Sequence, residues 1–491
     1  MSLVFPSTTN FDLKHSAFDY QKEAVDAIKD LEYAAIFHEQ GLGKTKIAID
    51  LMDYWFQNRN IDTVLIVTKK QLVNNWKNEF KEHTFIKPAT IDNSKNGNYY
   101  VFNSAQRVVI TNFETIYGEE KRISLWLKTR NVAIVIDEST KLKNPDSKLT
   151  QSFFKIAHLF KIRVIMTGTP IANRPYDMWS QIYFLDFGKS LGNDFDEFKK
   201  ATDLKNDLSS NDVKREVFEE CVSGIFKKIK DFTVRETKNS GIIKLPNKNY
   251  ISILCHFEES QQEMYIKTKN QLELLMQKDE KAFVDDESVS LKRLLRLIQI
   301  TSNPRLVNEL YSCDSGKEVE LDKIIKAIIK RGEMVIVWSS FIENIEYFAK
   351  KYKSLGVSKV HGSMPIEIRN KEIDKFKSKE SKILFATPQA AKEGLTLTVA
   401  NNVVFYDRGF NLDDYLQAQD RIHRISQTKE CDIYNLIMIN SVDIWIDKLL
   451  KAKQEAAWLG QGDINVNQFR KTIDYSYGDI IKEILNAEDG K

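Results

Sequence analysis

The sequence predicts an α/β protein with two parallel-sheet domains and all-helical insertions between them. Short apolar runs of strand length alternate with helix-period stretches from Phe18 to about Asp186, and the alternation resumes at Met334. From Phe187 to Lys317 the sequence is charged, has a helical period and shows few strand signals. Because alternating strands and helices build parallel sheets covered by helices, we expect one such domain on each side of the helical segment.

The first domain is expected over residues 1–186. Its strands are predicted from apolar runs that suit burial on both faces of a sheet. These runs are Tyr33–Phe37, Thr63–Val67, Arg107–Ile110, Val132–Ile136 and Arg163–Met166. Ligands of parallel sheets bind beyond the carboxyl ends of the strands, so the residues that follow these runs are the candidates for function.

The rest of the chain is divided by the same signals. Helical insertions are expected over 187–317, with a break near Leu245-Pro246. A second α/β domain is expected over 318–450, and a helical C-terminal tail over 451–491. The strands predicted in the second domain are Met334–Trp338, Ser381–Ala386 and Asn402–Tyr406.

Composition bounds the function classes. The chain has 491 residues, 42% of them apolar, which is enough for at least two cores. Its four cysteines are far apart, which argues against a zinc cluster or a disulfide framework and favours a reducing cytoplasm. Richness in Lys, Asn and Ile resembles an AT-rich bacterial or phage gene product, so the cytoplasm of a bacterial or phage-infected cell is expected. No apolar run reaches the roughly 18 residues of a membrane span, and no signal-peptide pattern is present. A net charge of +3 permits DNA binding at local lysine-rich surfaces without arguing for it.

The run from His38 to Thr45, HEQGLGKT, links the first strand to a helix and predicts a nucleotide-binding loop. Glycines let backbone N–H groups approach phosphate, and the helix N-terminus adds positive potential. Lys44 is predicted to reach the β- and γ-phosphates, and Thr45 to ligate Mg²⁺. His38 stands where the common loop has glycine, so the pattern is incomplete. The predicted ATP-binding residues of the loop are Gly41, Leu42, Gly43, Lys44 and Thr45.

A second candidate element is the acidic pair after a later strand. Asp137 and Glu138 follow Val132–Ile136 directly. Adjacent carboxylates at a strand's carboxyl end suit Mg²⁺ and water, so Asp137 is predicted to hold the metal and Glu138 to orient and deprotonate the attacking water. Alone, the pair would also fit a helix N-cap. Its combination with Lys44 favours phosphoryl transfer.

The predicted second domain carries two arginines that are candidates for catalysis. Arg421 and Arg424 are three residues apart, so on a helix they would share a face. Taken alone, such a pair is typical of a solvated salt-bridge surface. With a phosphate loop in the other domain, the pair also fits arginine fingers that act when two domains close on a nucleotide.

The order of motifs resembles the superfamily-two helicase-like ATPases, and within them the sucrose-nonfermenting (Swi/Snf-type) double-stranded DNA translocases. The resemblance covers nearly the whole chain and implies two RecA-like domains. It is carried by Tyr20-Gln21, the phosphate loop, Leu65–Thr68, Asn75–Phe80, Ile110–Glu114, Asp137–Asn144, Met166–Pro170, Leu245–Lys248, Ser302–Pro304, His361–Ser363 with Arg369, Gly394–Thr398 and Gln417–Gln427.

The resemblance implies roles for further residues. Gln21 is expected to read adenine, although a polar residue at a helix N-terminus is the alternative. Trp76, at helical spacing with Phe80, is expected in the core rather than stacked on a base. The residues expected to couple hydrolysis to movement are Thr167, Gly168, Thr169, Gly394 and Gln417.

The sequence departs from the family pattern at three places. Ser139-Thr140 replaces Ala/Gly-His, Ala391-Lys392 replaces Gly-Gly, and Ser426 replaces a glycine. These departures leave the ATPase residues intact and bear on the details of coupling. The form Gly-Leu-Thr-Leu-Thr from Gly394 is closer to annealing and fork-remodelling members, which favours branched DNA.

A protein that tracks a duplex needs donors that grip phosphates. For Lys69 and Lys70 a solvated strand end is the alternative, and for His361 a simple turn. Thr111 and Thr387 rest on family position alone. The predicted DNA contacts are Lys69, Lys70, Thr111, Asn112, Ser339, His361, Gly362 and Thr387.

These residues together predict an ATP- and Mg²⁺-dependent motor, acting as a monomer, that moves on duplex or branched DNA and unwinds or branch-migrates it. The alternatives are an RNA helicase and an ATP-driven remodeller that strips proteins from DNA. Membrane partners are not expected. An inactive scaffold is disfavoured because Lys44, Asp137, Glu138, Arg421 and Arg424 are all intact.

Overall fold

The computed structural model describes residues 13–92, 95–204, 208, 210–242, 245–278, 287–390 and 396–473. The chain forms two compact units. The first comprises Met1–Asp203, Glu216–Lys244 and Ala456–Lys471, and the second comprises Leu204–Arg215, Leu245–Glu455 and Thr472–Lys491.

The first unit contains, among its described residues, a seven-stranded sheet in the order β3-β4-β2-β5-β6-β1-β7. Every neighbouring pair is parallel, with Ile36 opposite Met166 and Ile136 opposite Ile165 at the centre. The strands are β1 Tyr33–Ile36, β2 Thr63–Thr68, β3 Ala89–Thr90, β4 Val108–Asn112, β5 Val132–Asp137, β6 Ile162–Met166 and β7 Thr233–Val234.

The second unit contains a six-stranded sheet within its described part, in the order β10-β11-β9-β12-β13-β8, again with parallel neighbours. The strands are β8 Lys248–Cys255, β9 Val335–Trp338, β10 Val357–Val360, β11 Ile383–Ala386, β12 Asn402–Phe405 and β13 Cys431–Met438. The predicted fold class of two parallel-sheet α/β domains is confirmed.

Helices connect the parallel strands, as parallel pairing requires. In chain order they are Asp19–Ile28, Lys44–Asn58, Val73–His83, Lys95–Asn103, Phe113–Gly118, Glu120–Leu127, Lys148–Ala157, Asp177–Asp186, Phe195–Thr202, Asp212–Ile229, Glu259–Lys278, Glu287–Ser302, Gly316–Lys330, Ile342–Lys351, Ile366–Lys377, Leu412–Gln419, Val442–Gln461 and Val466–Thr472.

Apolar periodicity explains how the first helices cover the sheet. Ile47, Leu51 and Trp55, four residues apart, are buried on one face of the helix Lys44–Asn58. Trp76 and Phe80 are likewise buried from the helix Val73–His83, so their predicted place in the core is confirmed. Burial of each such side chain stabilises the unit by about 1.5–3 kcal/mol. This packing fixes where the loops at the strand ends emerge.

The segment 187–317 is not purely helical, which corrects the sequence prediction. It contributes β7 to the first sheet and β8 to the edge of the second. β8 was missed because its sequence, KNYISILC, mixes polar and apolar residues, which is typical of an edge strand that is only half buried. β13, which pairs with β8 over eight residues, was not predicted either.

The units also differ from the predicted domain boundaries. Because β7 pairs with β1, residues beyond 186 belong with the first sheet. The segment 456–471, expected as part of a separate tail, also belongs to the first unit. No helix in the described ranges has the length and apolarity needed to cross a membrane.

Candidate functional site

The candidate site lies at the carboxyl edge of the first sheet. β5, β6 and β1 are neighbours and run parallel, so their following loops emerge at the same edge. The loop after β1 carries Lys44, the loop after β5 carries Glu138, and the loop after β6 carries Gly168. The sequence therefore brings three predicted motifs to one edge of the sheet.

The loop after β1 has the glycine conformations that a phosphate loop requires. Gly41 and Gly43 have φ angles of 87° and 71°, in the left-handed region that favours glycine. The helix Lys44–Asn58 begins directly after Gly43. A Cβ at Gly43 would come within 2.1 Å of Nε2 of Gln21, so this position has no room for a side chain.

The side chain of Lys44 hydrogen-bonds back to the start of this loop. Its amine donates to the carbonyls of His38 at 2.9 Å and Glu39 at 3.2 Å. Thr45 lies in the first helical turn, and no residue in the described part of the chain hydrogen-bonds to its hydroxyl. A cationic amine and an available hydroxyl at the start of one helix fit the β- and γ-phosphates of a nucleotide and a hydrated Mg²⁺.

Gln21 supports the same loop from the helix Asp19–Ile28. Its Oε1 accepts a hydrogen bond from the backbone N–H of Phe18 at 3.0 Å, and its Nε2 lies 3.4 Å from the carbonyl oxygen of Leu42. The hydroxyl of Tyr20 donates to the same carbonyl at 3.0 Å. Gln21 is 3% exposed, and its side chain contacts the phosphate loop. The expected role in reading adenine did not include this contact.

Asp137, the last residue of β5, is held by two donors. Oδ2 accepts hydrogen bonds from the hydroxyl of Thr68 at 3.0 Å and the indole N–H of Trp76 at 2.9 Å. Burial and the neighbouring charge of Glu138 raise the pKa of Asp137 to about 6, against the opposing effects of Trp76, Lys44 and Thr68. Sequence reasoning placed Trp76 only in the core, because a hydrogen bond from its indole leaves no sequence signal.

Glu138 occupies a strained backbone position. Its φ and ψ of 57° and 49° lie in the left-handed region, which costs a residue other than glycine about 1–3 kcal/mol. Such strain persists where the surroundings fix the geometry, often at functional sites. Its Oε2 is buried without a hydrogen bond among the described residues and lies 3.6 Å from the Lys69 amine.

The loop after β6 packs directly on the phosphate loop. A Cβ at Gly168 would lie 2.6 Å from Cγ of Gln40 and 3.3 Å from the amine of Lys44. The Thr167 hydroxyl accepts a hydrogen bond from the backbone of Thr169 at 3.2 Å. The glycine therefore permits a close approach between two predicted motifs.

Gln181, which sequence reasoning missed, joins the acidic turn to the loop after β6. Its Oε1 accepts from the hydroxyl of Ser139 at 2.7 Å, and its Nε2 donates to the carbonyl of Pro170 at 2.8 Å. The side chain is fully buried. Ser139 is one of the departures from the family pattern, and this hydrogen bond gives its hydroxyl a structural role.

In the second unit the predicted arginine pair does not lie on a helix. The helix Leu412–Gln419 ends before Arg421, whose carbonyl accepts a hydrogen bond from Leu397 N at 2.9 Å. Because that carbonyl is bonded outside the helical pattern, the chain turns here, and the prediction of one shared helical face is wrong. Arg421 is 2% exposed. Arg424 is partly exposed and donates to the Asp420 carbonyl at 3.0 Å and the Thr396 hydroxyl at 2.8 Å.

The structure describes one of the two coupling residues expected in the second unit. Gln417 is fully buried, and its Nε2 donates to Asp413 at 2.7 Å. Gly394 lies outside the described residues. The same holds for the departure Ala391-Lys392. Ser426, the third departure, forms a hydrogen bond of 2.9 Å with Thr398.

Two of the predicted DNA contacts, Thr111 and Ser339, have side chains that are fully buried. The Thr111 hydroxyl donates to the carbonyl of Ile91 at 2.9 Å, and the Ser339 hydroxyl donates to Asp407. Side-chain contact with DNA is therefore wrong for this pair, because polar residues at strand ends here satisfy internal groups.

The other predicted contacts fall into two sets. Asn112 caps the helix Phe113–Gly118 by accepting from Thr115 N, and Nε2 of His361 is 2.7 Å from Glu346. Both side chains are largely buried, as is Thr387. The partly or fully exposed residues are Lys69, Lys70 and Gly362. These three keep the surface position that a phosphate contact needs.

Comparison with known families agrees with this geometry. Residues 20–306 match the SNF2-related domain, and residues 317–426 match the helicase conserved C-terminal domain. The chain belongs to the SNF2-related family. The resemblance inferred from the motifs is thereby confirmed.

Relatives of this SNF2-related chain include longer proteins. An uncharacterized ATP-dependent helicase of Mycoplasma genitalium is 30% identical over 450 residues, which cover 89% of this chain and 41% of the relative. The SWI/SNF-related, matrix-associated, actin-dependent regulator of chromatin subfamily A member 1 of Mus musculus is 28% identical, covering 82% of this chain and 39% of its own length. The chain thus spans about two fifths of these curated relatives.

The chain is also similar to a solved structure. This is the Sulfolobus solfataricus SWI2/SNF2 ATPase core in complex with double-stranded DNA, at 23% identity and a TM-score of 0.43. The match covers 96% of this chain and 99% of the other.

His38, the residue that departs from the common loop pattern, gives a prediction about pH. Burial and the charge of Lys44 lower the pKa of His38 to about 4, and its ring stacks on Tyr20. An unfolded chain would bind a proton here near pH 6.5, so the folded state should lose stability as pH falls from about 6.5 to 4, by up to about 3 kcal/mol. Urea unfolding between about pH 7 and pH 5 should show a smaller decline in His38→Gln than in the wild type.

The matched control is His158→Gln, which removes an exposed imidazole from the same unit. Equal declines in the wild type and in His38→Gln would show that His38 does not contribute to the pH dependence.

Proposed function

We propose that this chain hydrolyses ATP and uses the energy to move along duplex or branched DNA. The observation that carries the ATPase proposal is the placement of the Lys44 loop, the Asp137-Glu138 turn and the Gly168 loop at one edge of a parallel sheet. Phosphoryl transfer needs little covalent chemistry from a protein, because it depends on positioning and charge neutralisation.

Each residue of this edge has a proposed task. The backbone N–H groups of Gly41 to Thr45 bind the phosphates, and Lys44 neutralises the β- and γ-oxygens. Thr45 and Asp137 hold Mg²⁺, since both offer an oxygen without a hydrogen-bond partner among the described residues. The chemistry that Mg²⁺ would supply there is neutralisation of the phosphate charge. Glu138 orients and deprotonates water, as its Oε2 allows, since that atom has no hydrogen-bond partner among the described residues.

The motor proposal rests on family membership and on Lys69. SNF2-related relatives carry names of ATP-dependent helicases and regulators of chromatin. Lys69, a candidate phosphate contact, lies 3.6 Å from Oε2 of Glu138. A DNA phosphate that engaged this amine would therefore change the charge beside the residue proposed to activate water, which offers a direct route from DNA binding to hydrolysis.

The first test separates nucleotide binding from hydrolysis. Lys44→Ala removes the phosphate-neutralising charge, and Glu138→Gln removes the base but keeps the shape of the side chain. Both variants should lose ATP turnover, and only Glu138→Gln should still bind ATP. Phosphate release and equilibrium binding measure the two steps. Lys155→Ala, at an exposed position of the same unit, is the control. Wild-type turnover in either variant would contradict the ATPase assignment.

The second test concerns the arginines. We propose that Arg424 stabilises the transition-state phosphates, because its side chain is partly exposed, whereas that of Arg421 is buried. Arg424→Ala should reduce DNA-stimulated turnover by about 10³-fold or more while leaving DNA affinity unchanged. Arg331→Ala removes an exposed arginine from the same unit and serves as the control. Lost DNA affinity with normal turnover per bound complex would reassign Arg424 to a phosphate contact.

The third test concerns the nucleic acid. ATPase stimulation should be greatest with duplex, forked or four-way DNA, and binding should weaken steeply with salt and vary little with sequence. Matched lengths of linear, forked and four-way DNA, single-stranded DNA and RNA at fixed salt measure this. Equal or better stimulation by single-stranded DNA would overturn duplex tracking, and RNA as the best activator would favour an RNA helicase.

A further inference from the structure

The indole of Trp76 contacts the carboxylate that the proposed function assigns to the metal. Trp76 lies in the helix Val73–His83 and is 2% exposed. Its Nε1–H donates to Oδ2 of Asp137 at 2.9 Å, and the hydroxyl of Thr68 donates to the same oxygen at 3.0 Å. Two buried donors from different elements therefore converge on one oxygen of this side chain.

This arrangement divides the two oxygens of Asp137 between two tasks. Oδ2 is saturated by donors from inside the unit, and no residue in the described ranges hydrogen-bonds to Oδ1. Turning the carboxylate would break two buried hydrogen bonds at once, each to a charged group and worth roughly 1.5–3 kcal/mol. The side chain is thus fixed with one oxygen left for a ligand outside the protein.

The indole N–H of Trp76 depends on Asp137 for its hydrogen bond. Among the described residues Asp137 is its only hydrogen-bond acceptor, and an indole N–H buried without a partner costs about 1–3 kcal/mol. The tryptophan and the aspartate therefore orient each other. An apolar aromatic residue would fill the same space beside Phe80 without directing the carboxylate.

We propose that Trp76 is a positioning residue that, together with Thr68, sets the orientation in which Asp137 holds Mg²⁺ with the nucleotide. The inference rests on the proposed function and extends it to residues that do not touch the metal. Hydrogen-bond partners of metal ligands commonly contribute about 10–100-fold to metal affinity.

Trp76→Phe tests this because it removes the donor and keeps an aromatic ring. The probe is N-methylanthraniloyl-ADP, titrated in Mg²⁺ and in EDTA. The ratio of the two affinities reports metal binding without turnover, and it should fall about 10–100-fold in the variant while the affinity in EDTA stays the same. Trp55→Phe is the matched control, since Trp55 is equally buried in the same unit and its Nε1 donates to the carbonyl of Lys29 at 3.2 Å.

Thr68 gives a second pair of variants that leaves the aromatic core intact. Thr68→Val removes the hydroxyl at nearly constant shape and should lower the ratio of the affinities in Mg²⁺ and EDTA. Thr68→Ser keeps a hydroxyl and should retain the wild-type ratio. This pair decides the question if Trp76→Phe does not fold.

Equal losses in Mg²⁺ and EDTA, or the same ratio in Trp76→Phe as in Trp55→Phe, would overturn the positioning role and leave the ATPase proposal standing. A wild-type chain whose nucleotide affinity does not depend on Mg²⁺ would instead overturn the proposed function, and this inference with it.

Discussion

The parallel direction of the strands is the constraint on which the candidate site depends. In the first unit each described strand pair is parallel, so every loop that follows a strand emerges at the same edge. Residues far apart in sequence are thereby brought close together, since a Cβ added at Gly168 would lie 3.3 Å from the amine of Lys44. An antiparallel strand among β5, β6 and β1 would send one of the three loops to the opposite edge.

The polar groups of the site are buried, and hydrogen bonds from neighbouring side chains stabilise them there. Asp137 is stabilised by Thr68 and Trp76 against the effect of burial, and the hydrogen bonds of Gln181 fix the turn that follows. The left-handed backbone of Glu138 adds strain that this packing maintains. We interpret the arrangement as preorganisation, in which folding sets the geometry before any ligand binds.

The sequence predicted those features that a short run of neighbouring residues encodes. The phosphate loop and the strand before Asp137 follow from short runs of apolar residues and glycine, and the structure has these elements where they were expected. The edge strand β8 was missed because partial burial leaves a mixed pattern.

Partners distant in the sequence account for the remaining errors. Arg421 lies outside the predicted helix, and its carbonyl accepts a hydrogen bond from Leu397 N. Thr111 lies inside the buried strand β4, and the carbonyl of Ile91 accepts the hydrogen bond of its hydroxyl. The hydrogen bond from Trp76 to Asp137 spans 61 residues and likewise has no local pattern. Neither periodicity nor spacing reports which donor meets which acceptor across a sheet.

The most direct test of the account is hydrogen–deuterium exchange with and without ADP and Mg²⁺. We expect protection in residues 38–47, 137–143 and 166–170, which follow the carboxyl ends of β1, β5 and β6, and unchanged exchange in residues 29–33 and 128–132 at the opposite edge. Protection at the opposite edge, or none in residues 38–47, would contradict it.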